Sequence, residues 1–151
     1  MSRKILYCLV ISMSLTALLA PGCANTKVTF EQLFANPSQY DGKDITIEGF
    51  VFLAFEVMVL CEQLVPSGYA EGHLVPKERC LDGRCLWIEG GIPRDVYDNL
   101  YEQENIWGPP EQYGKVLVRG IFQYGGQYGH AGSYECQVIP SEIELLPWSP
   151  Q

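Results

Sequence analysis

The sequence predicts a mainly β domain with two short helices, set behind a leader that is not part of the fold. Three observations predict it. Arg3 and Lys4 precede an apolar run over residues 5–20 that holds no charge, the pattern of an export segment removed before folding. Alternation of apolar and polar residues, the mark of a half-buried strand, recurs in the remainder. Two of these stretches echo each other: residues 43–50 read KDITIEGF and residues 114–121 read GKVLVRGI.

Taken in order, Thr29 with Gln32 three residues on forms a capping-box pair, and Val28 and Leu33 stand as a hydrophobic staple. A short helix over Phe30–Ala35 is expected, ended by Asn36 and Pro37. Tyr40, Asp41, Gly42 and Lys43 then turn the chain into a strand in which Ile45 and Ile47 alternate with Thr46 and Glu48. Gly49 interrupts that strand, and a glycine inside a strand marks a bulge or sharp bend. Residues 50–61 read as the end of this strand, a tight reversal and a second strand. Residues 62–84 carry Pro66, Gly68, Gly72, Pro76 and Gly83 and read as a long surface connection. Leu86, Trp87 and Ile88 form a third strand.

Pro93 suits the first position of a second helix, with Val96, Tyr97, Leu100 and Tyr101 at helical spacing on one face as core packing. Residues 107–110, WGPP, close it. The second echo segment is the fourth strand. Residues 134–139 and 143–146 form the last, interrupted or bulged near Pro140. Helix, three strands, helix, two strands, with glycine bends in the first and fourth strands, resembles an OB-fold, a five-stranded, partly open Greek-key barrel.

The junction Leu19, Ala20, Pro21, Gly22, Cys23 resembles the lipobox of bacterial lipoproteins. That resemblance implies cleavage before Cys23, a diacylglyceryl thioether and an N-acyl group on that cysteine, and attachment to a lipid bilayer. Burial of acyl chains contributes about 0.8 kcal/mol per CH₂, so several chains anchor stably where one does not. The apolar run is short for a spanning helix, which needs about 20 apolar residues. Ala24 and Asn25 lack the aspartate that resembles an inner-membrane retention signal, which favours the outer membrane, facing the periplasm. The expected division is a signal peptide over 1–22, a lipidated cysteine and tether over 23–28 and one OB-like domain over 29–148.

The domain is also similar to a family of small, uncharacterised bacterial lipoproteins and exported proteins with an OB-like domain. The likeness rests on the helix at 30–34, the turn at 40–43, the strand ending Glu48, Gly49 and Phe50, the strand at 116–122, and Gly129, His130, Ala131 and Gly132. The family brings no catalytic residue.

Removing residues 1–22 leaves eight Lys and Arg against eighteen Asp and Glu, a charge of about −10 with histidine neutral. Nucleic-acid binding draws on Lys and Arg that neutralise phosphates, so no nucleic-acid partner is expected. Cys61, Cys80, Cys85 and Cys136 remain in the exported domain and read first as two disulfides. A four-sulfur zinc site is the rival, although ligand-type spacing occurs only once. Asp82 and Gly83 form a favoured two-residue hairpin turn that sets Cys80 opposite Cys85, leaving Cys61 for Cys136; the competing arrangement joins Cys61 to Cys80 or Cys85.

No serine elbow, phosphate loop or paired-histidine metal motif is present. His73 falls in the long connection and His130 among glycines, where a loop-fixing role outweighs a catalytic one. Asp41, Glu48 and Glu56 offer carboxylates, but alternate strand positions face solvent. Cys80 and Cys85 lack the two-residue spacing of thioredoxin-like pairs. No catalytic residue, metal or cofactor is assigned. The expectation is a binding or structural module with Phe122, Tyr124, Tyr128, His130 and Tyr134 as a ligand face for a sugar, peptide or envelope protein. The alternative is an envelope enzyme of carboxylate or thiol chemistry.

Overall fold

The computed structural model describes residues 26–77 and 84–150. Strand β1 (Thr26–Val28) leads into helix α1 (Phe30–Ala35) and a 3₁₀ turn at Pro37–Gln39, then β2 (Asp44–Ala54) and β3 (Val57–Cys61). The hairpin β4 (Leu64–Pro66) and β5 (Leu74–Pro76) follows, then β6 (Cys85–Ile88), helix α2 (Arg94–Tyr97), β7 (Tyr101–Gln103), β8 (Glu111–Tyr128) and β9 (Tyr134–Leu145). The chain is mainly β with a mixed sheet and two short helices. Among the described residues no helix is long and apolar enough to cross a membrane.

Helix α1 begins as its capping residues dictate. The Thr29 hydroxyl accepts the Gln32 N–H at 3.2 Å, and the Gln32 side chain accepts the Thr29 N–H at 3.0 Å. Val28, Phe30 and Leu33 are buried, so the staple and the inner helix face enter the core together. Residues 26–28 are not a free tether: they form β1 and pair in parallel with Ile45, Thr46 and Ile47.

The seven-stranded sheet runs β1-β2-β3-β6-β9-β8-β7, with a further pairing between β2 and β8. The two echoing segments are each other's partners, since Asp44 lies opposite Ile121 and Gly49 opposite Val116 in an antiparallel register. Pairings therefore run from β2 through β3, β6, β9 and β8 and return to β2. Every contact in this ring is antiparallel except β6 with β9, which is parallel. Ile45, Ile47, Leu60, Leu86, Val116, Val118, Phe122 and Val138 fill the main core with Leu33 of α1 and Val96 of α2. A second apolar cluster, containing Phe52, Val59, Cys61, Leu74, Cys85, Tyr113 and Tyr134, is held with Leu64 of β4, Trp87 and Trp148.

Two expectations are corrected. The second helix ends at Tyr97, and Tyr101 opens β7 opposite Tyr113 instead of continuing a helical face. Pro93 carries extended backbone before the helix, and a single turn buries Val96 before strand pairing with β8 takes over. The 62–84 connection, read as surface loop, contains the β4–β5 hairpin, whose Leu74 packs into the second cluster.

The bends fall where close backbone approach demands glycine. A Cβ on Gly49 would lie 2.8 Å from the Cys61 carbonyl and 2.9 Å from the Phe30 ring. A Cβ on Gly120 would fall on the Ile139 carbonyl oxygen and 2.8 Å from Pro140 Cα, at the point where the β8–β9 register shifts. Pro140 has no N–H to donate and is tolerated at such a bulge. Gly120→Ala is expected to cost about 3 kcal/mol by overpacking, read as a lowered urea midpoint. Gly42→Ala, whose φ of +71° is strained but whose surroundings are open, should cost about 1 kcal/mol; equal effects would contradict this account of the bend.

Candidate functional site

A polar network and an adjoining cleft form where the β4–β5 hairpin meets the start of β8. The loop between β4 and β5 is closed by the Ser67 N–H donating to the His73 carbonyl at 2.8 Å and the His73 N–H donating to the Ala70 carbonyl at 3.2 Å. Gly68 and Gly72 adopt φ of +78° and +75°, conformations that glycine takes without a steric penalty. Leu74 anchors the hairpin in the second cluster. On the neighbouring side, β7 pairs with the start of β8 so that Gln103 lies opposite Glu111.

Gln103 stitches the two sides together. Its Oε1 accepts the Leu74 N–H at 3.0 Å, and its Nε2 reaches the Leu74 carbonyl and Glu111 Oε2, both at 2.7 Å. Asn105 Nδ2 donates to Glu111 Oε1 at 3.0 Å, while Asn105 Oδ1 accepts the Trp107 N–H at 2.9 Å and fixes the loop beyond β7. His73 Nε2 lies 3.3 Å from Glu111 Oε2, and its Nδ1 lies 2.7 Å from Ser67 Oγ. Three donors thus converge on one buried carboxylate. Because Glu111 accepts from Nε2, a neutral His73 presents Nδ1 as an acceptor for the Ser67 hydroxyl proton.

The network floors an open cleft of about 400 Å³ lined by Tyr69, Ala70, His73, Val75, Glu104, Asn105, Ile106, Trp107 and Glu111. Its volume falls in the range of about 300–1,000 Å³ usual for small-molecule sites. Trp107 is 90% exposed, and Ile106 and Tyr69 are also largely exposed. Large apolar side chains gathered at one opening are the informative kind of exposure, unlike scattered single ones. Two of the lining residues are carboxylates and none is Lys or Arg.

The sequence-derived ligand face is not one surface. Phe122 is fully buried in the main core, and Tyr134 is buried against Trp87 with ring centroids 5.5 Å apart. Tyr128 is half-buried on the second cluster, and Tyr124 is partly exposed with its N–H on Asp41. Alternation along β8 and β9 sends Phe122 inward, and the extra residues of β8 between Tyr124 and Tyr128 break the spacing a common face requires. His130 is exposed and pairs with Glu56 at 3.0 Å. Glu48 pairs with Lys115 at 2.7 Å, and that hydrogen bond holds its carboxyl below the usual range. Asp41, Glu48 and Glu56 therefore serve three separate contacts.

Cys80, and with it the pairing to Cys85, lies outside the described residues. The expected Cys61–Cys136 disulfide is not formed, since both residues are thiols. Strand β6 stands between β3 and β9, and two strand spacings of about 4.8 Å each exceed the reach of a disulfide. Cys61 instead faces Cys85 directly across the β3–β6 register and sets its thiol 3.3 Å from the Phe50 carbonyl. Cys136 packs in the main core, where burial pushes its thiol up to about 11. Among the described residues no group of three or more His, Cys, Asp or Glu is placed to hold a metal.

No protein-family model, curated protein or solved structure matches the chain.

Two outcomes follow from these contacts. Glu111→Ala should lower stability by about 2 kcal/mol, because it removes a buried carboxylate that accepts from the part-buried Gln103 and Asn105 amides, whereas Ser67→Ala at the loop should cost under about 1 kcal/mol; denaturant midpoints check both. Cys136 should resist maleimide at pH 8 in the native protein and react once unfolded, because its thiolate is scarce. Rapid native labelling, located by mass spectrometry, would contradict its buried placement.

Proposed function

We propose that the chain is a bacterial envelope lipoprotein, processed before Cys23 and held to a membrane by acyl groups there. Its domain is an OB-like Greek-key barrel acting as a binding module. The export segment and the Gly22–Cys23 junction support the anchor, and outer-membrane attachment facing the periplasm fits the residues after Cys23. The pairing cycle β2–β3–β6–β9–β8–β2, its single parallel contact, and α2 between β6 and β8 support the barrel reading. The observation that carries the binding role is the cleft, whose floor is fixed by hydrogen bonds and whose rim leaves Trp107 bare. No nucleic-acid partner fits a mature charge near −10.

A second reading, an envelope hydrolase, draws on Ser67, His73 and Glu111 standing in the order hydroxyl, imidazole, carboxylate. It ranks second because Ser67 does not line the cleft and its oxygen already accepts the Tyr69 N–H at 3.1 Å.

In membrane fractions the protein should begin at Cys23 with added acyl mass, and Cys23→Ser should release it; an unlipidated mature form starting elsewhere would sink the anchor. A fluorophosphonate probe should leave Ser67 unmodified. Labelling that disappears in Ser67→Ala would move the assignment to the hydrolase.

A further inference from the structure

We infer that the cleft at Trp107 takes a small organic cation, an ammonium group whose nitrogen is fully alkylated. This inference rests on the binding role proposed above and names the ligand class for that site.

The argument starts from what the floor has left to offer. Gln103 uses its oxygen on the Leu74 N–H and its nitrogen on the Leu74 carbonyl and Glu111. Asn105 uses its nitrogen on Glu111 and its oxygen on the Trp107 N–H. His73 is engaged at both ring nitrogens, and Glu111 at both oxygens. A sugar, whose affinity depends on directional hydrogen bonds to its hydroxyls, would find the floor's polar groups already committed and be left with Glu104 and the polar tips of Tyr69 and Trp107 at the exposed rim. What the cleft offers a ligand without hydrogen-bond donors is the negative charge of Glu111 and Glu104 and the rings of Tyr69 and Trp107, all of which line it.

A fully alkylated ammonium asks for these features and no others. It has no N–H to satisfy, its methyl groups present an apolar surface, and its charge is drawn both to carboxylates and to aromatic faces. Cation–π attraction is strongest on Trp and reaches about 2 kcal/mol when desolvated. No Lys or Arg lines the cleft to compete for the rings; the His73 imidazole meets the Tyr69 ring edge-on at 6.5 Å, which makes Trp107 the principal aromatic surface for a cation. The acidity of the whole exported domain raises the local concentration of cations.

The test uses protein expressed from the full-length gene and purified in a nonionic maltoside detergent at pH 8, above the ordinary range of imidazole. Choline, its neutral carbon isostere neohexanol, and a panel of neutral sugars are titrated by calorimetry and by tryptophan fluorescence. Choline should bind at least roughly tenfold more tightly than neohexanol, and Trp107→Ala should reduce that binding at least roughly tenfold at an unchanged melting temperature. Glu104→Gln, at an exposed rim position outside the network, should weaken choline and leave neohexanol unchanged. Neohexanol binding as tightly as choline, with Trp107 still required, would overturn the cation and keep the binding site. Sugars binding where choline does not would have the same effect. If no probe binds and Trp107→Ala changes nothing, the cation inference fails together with the binding reading on which it rests.

Discussion

Register pairs from Asp44 with Ile121 to Leu53 with Gln112 fasten β2 along one edge of β8, while the other edge is taken by β7 at its start and by β9 thereafter. A strand paired on both edges leaves its backbone groups satisfied, so it can be buried on a core without the cost of orphaned donors. This contact also returns the sheet to its first long strand. Without it β2 and β8 would present unpaired edges, and Val116, Val118, Ile45 and Ile47 would lose the enclosure that buries them fully. The close approach of β9 that completes the arrangement depends on the missing side chain of Gly120.

The candidate site inherits its geometry from the same strand. Glu111 is the first residue of β8, and its register with Gln103 is fixed because two positions further on Tyr113 already pairs with both β7 and β2. The floor of the cleft is therefore tied to the most heavily paired segment of the fold. Its walls come from the β4–β5 loop and the stretch after β7, where Tyr69, Ile106 and Trp107 contribute little to the core. A rigid polar floor under an exposed aromatic rim separates two tasks: the floor holds the charge in place, and the rim can vary without unsettling the sheet.

Local signals in the sequence account for what was legible. Helix α1 is set by contacts only three residues apart, so Thr29 and Gln32 announce both its start and its cap. The echo of residues 43–50 in 114–121 marks strands with the same task, and they turn out to be partners. Val96, Tyr97, Leu100 and Tyr101 satisfy a helical period, but the conformation at Tyr101 is decided by pairing with Tyr113, a partner distant in sequence. Phe122 and Tyr134 lie in the interior, which composition does not reveal for a related reason: it marks aromatics without saying which sheet face they occupy. The His73, Gln103 and Glu111 network had no local signature: its members lie on three separate strands or loops, and no spacing rule joins a hairpin loop to the start of β8.

With Cys23 as the proposed lipid attachment, the place where β1 begins matters. Pairing of Thr26 with Ile45 puts the first sheet residue three positions after the cysteine, and three extended residues span only about 10 Å. The domain would stand against the headgroups instead of ranging freely through the periplasm. An acidic body so close to a bilayer is pushed away by anionic lipids, over a Debye length of about 8 Å at physiological salt. Under that proposal the short leash and the repulsion would act against each other, holding the edge that carries β1 near the membrane while the rest of the domain leaned outward. On the proposed anchor, electrostatics and chain length alone would suffice to orient the domain, without an apolar face inserted in the lipid.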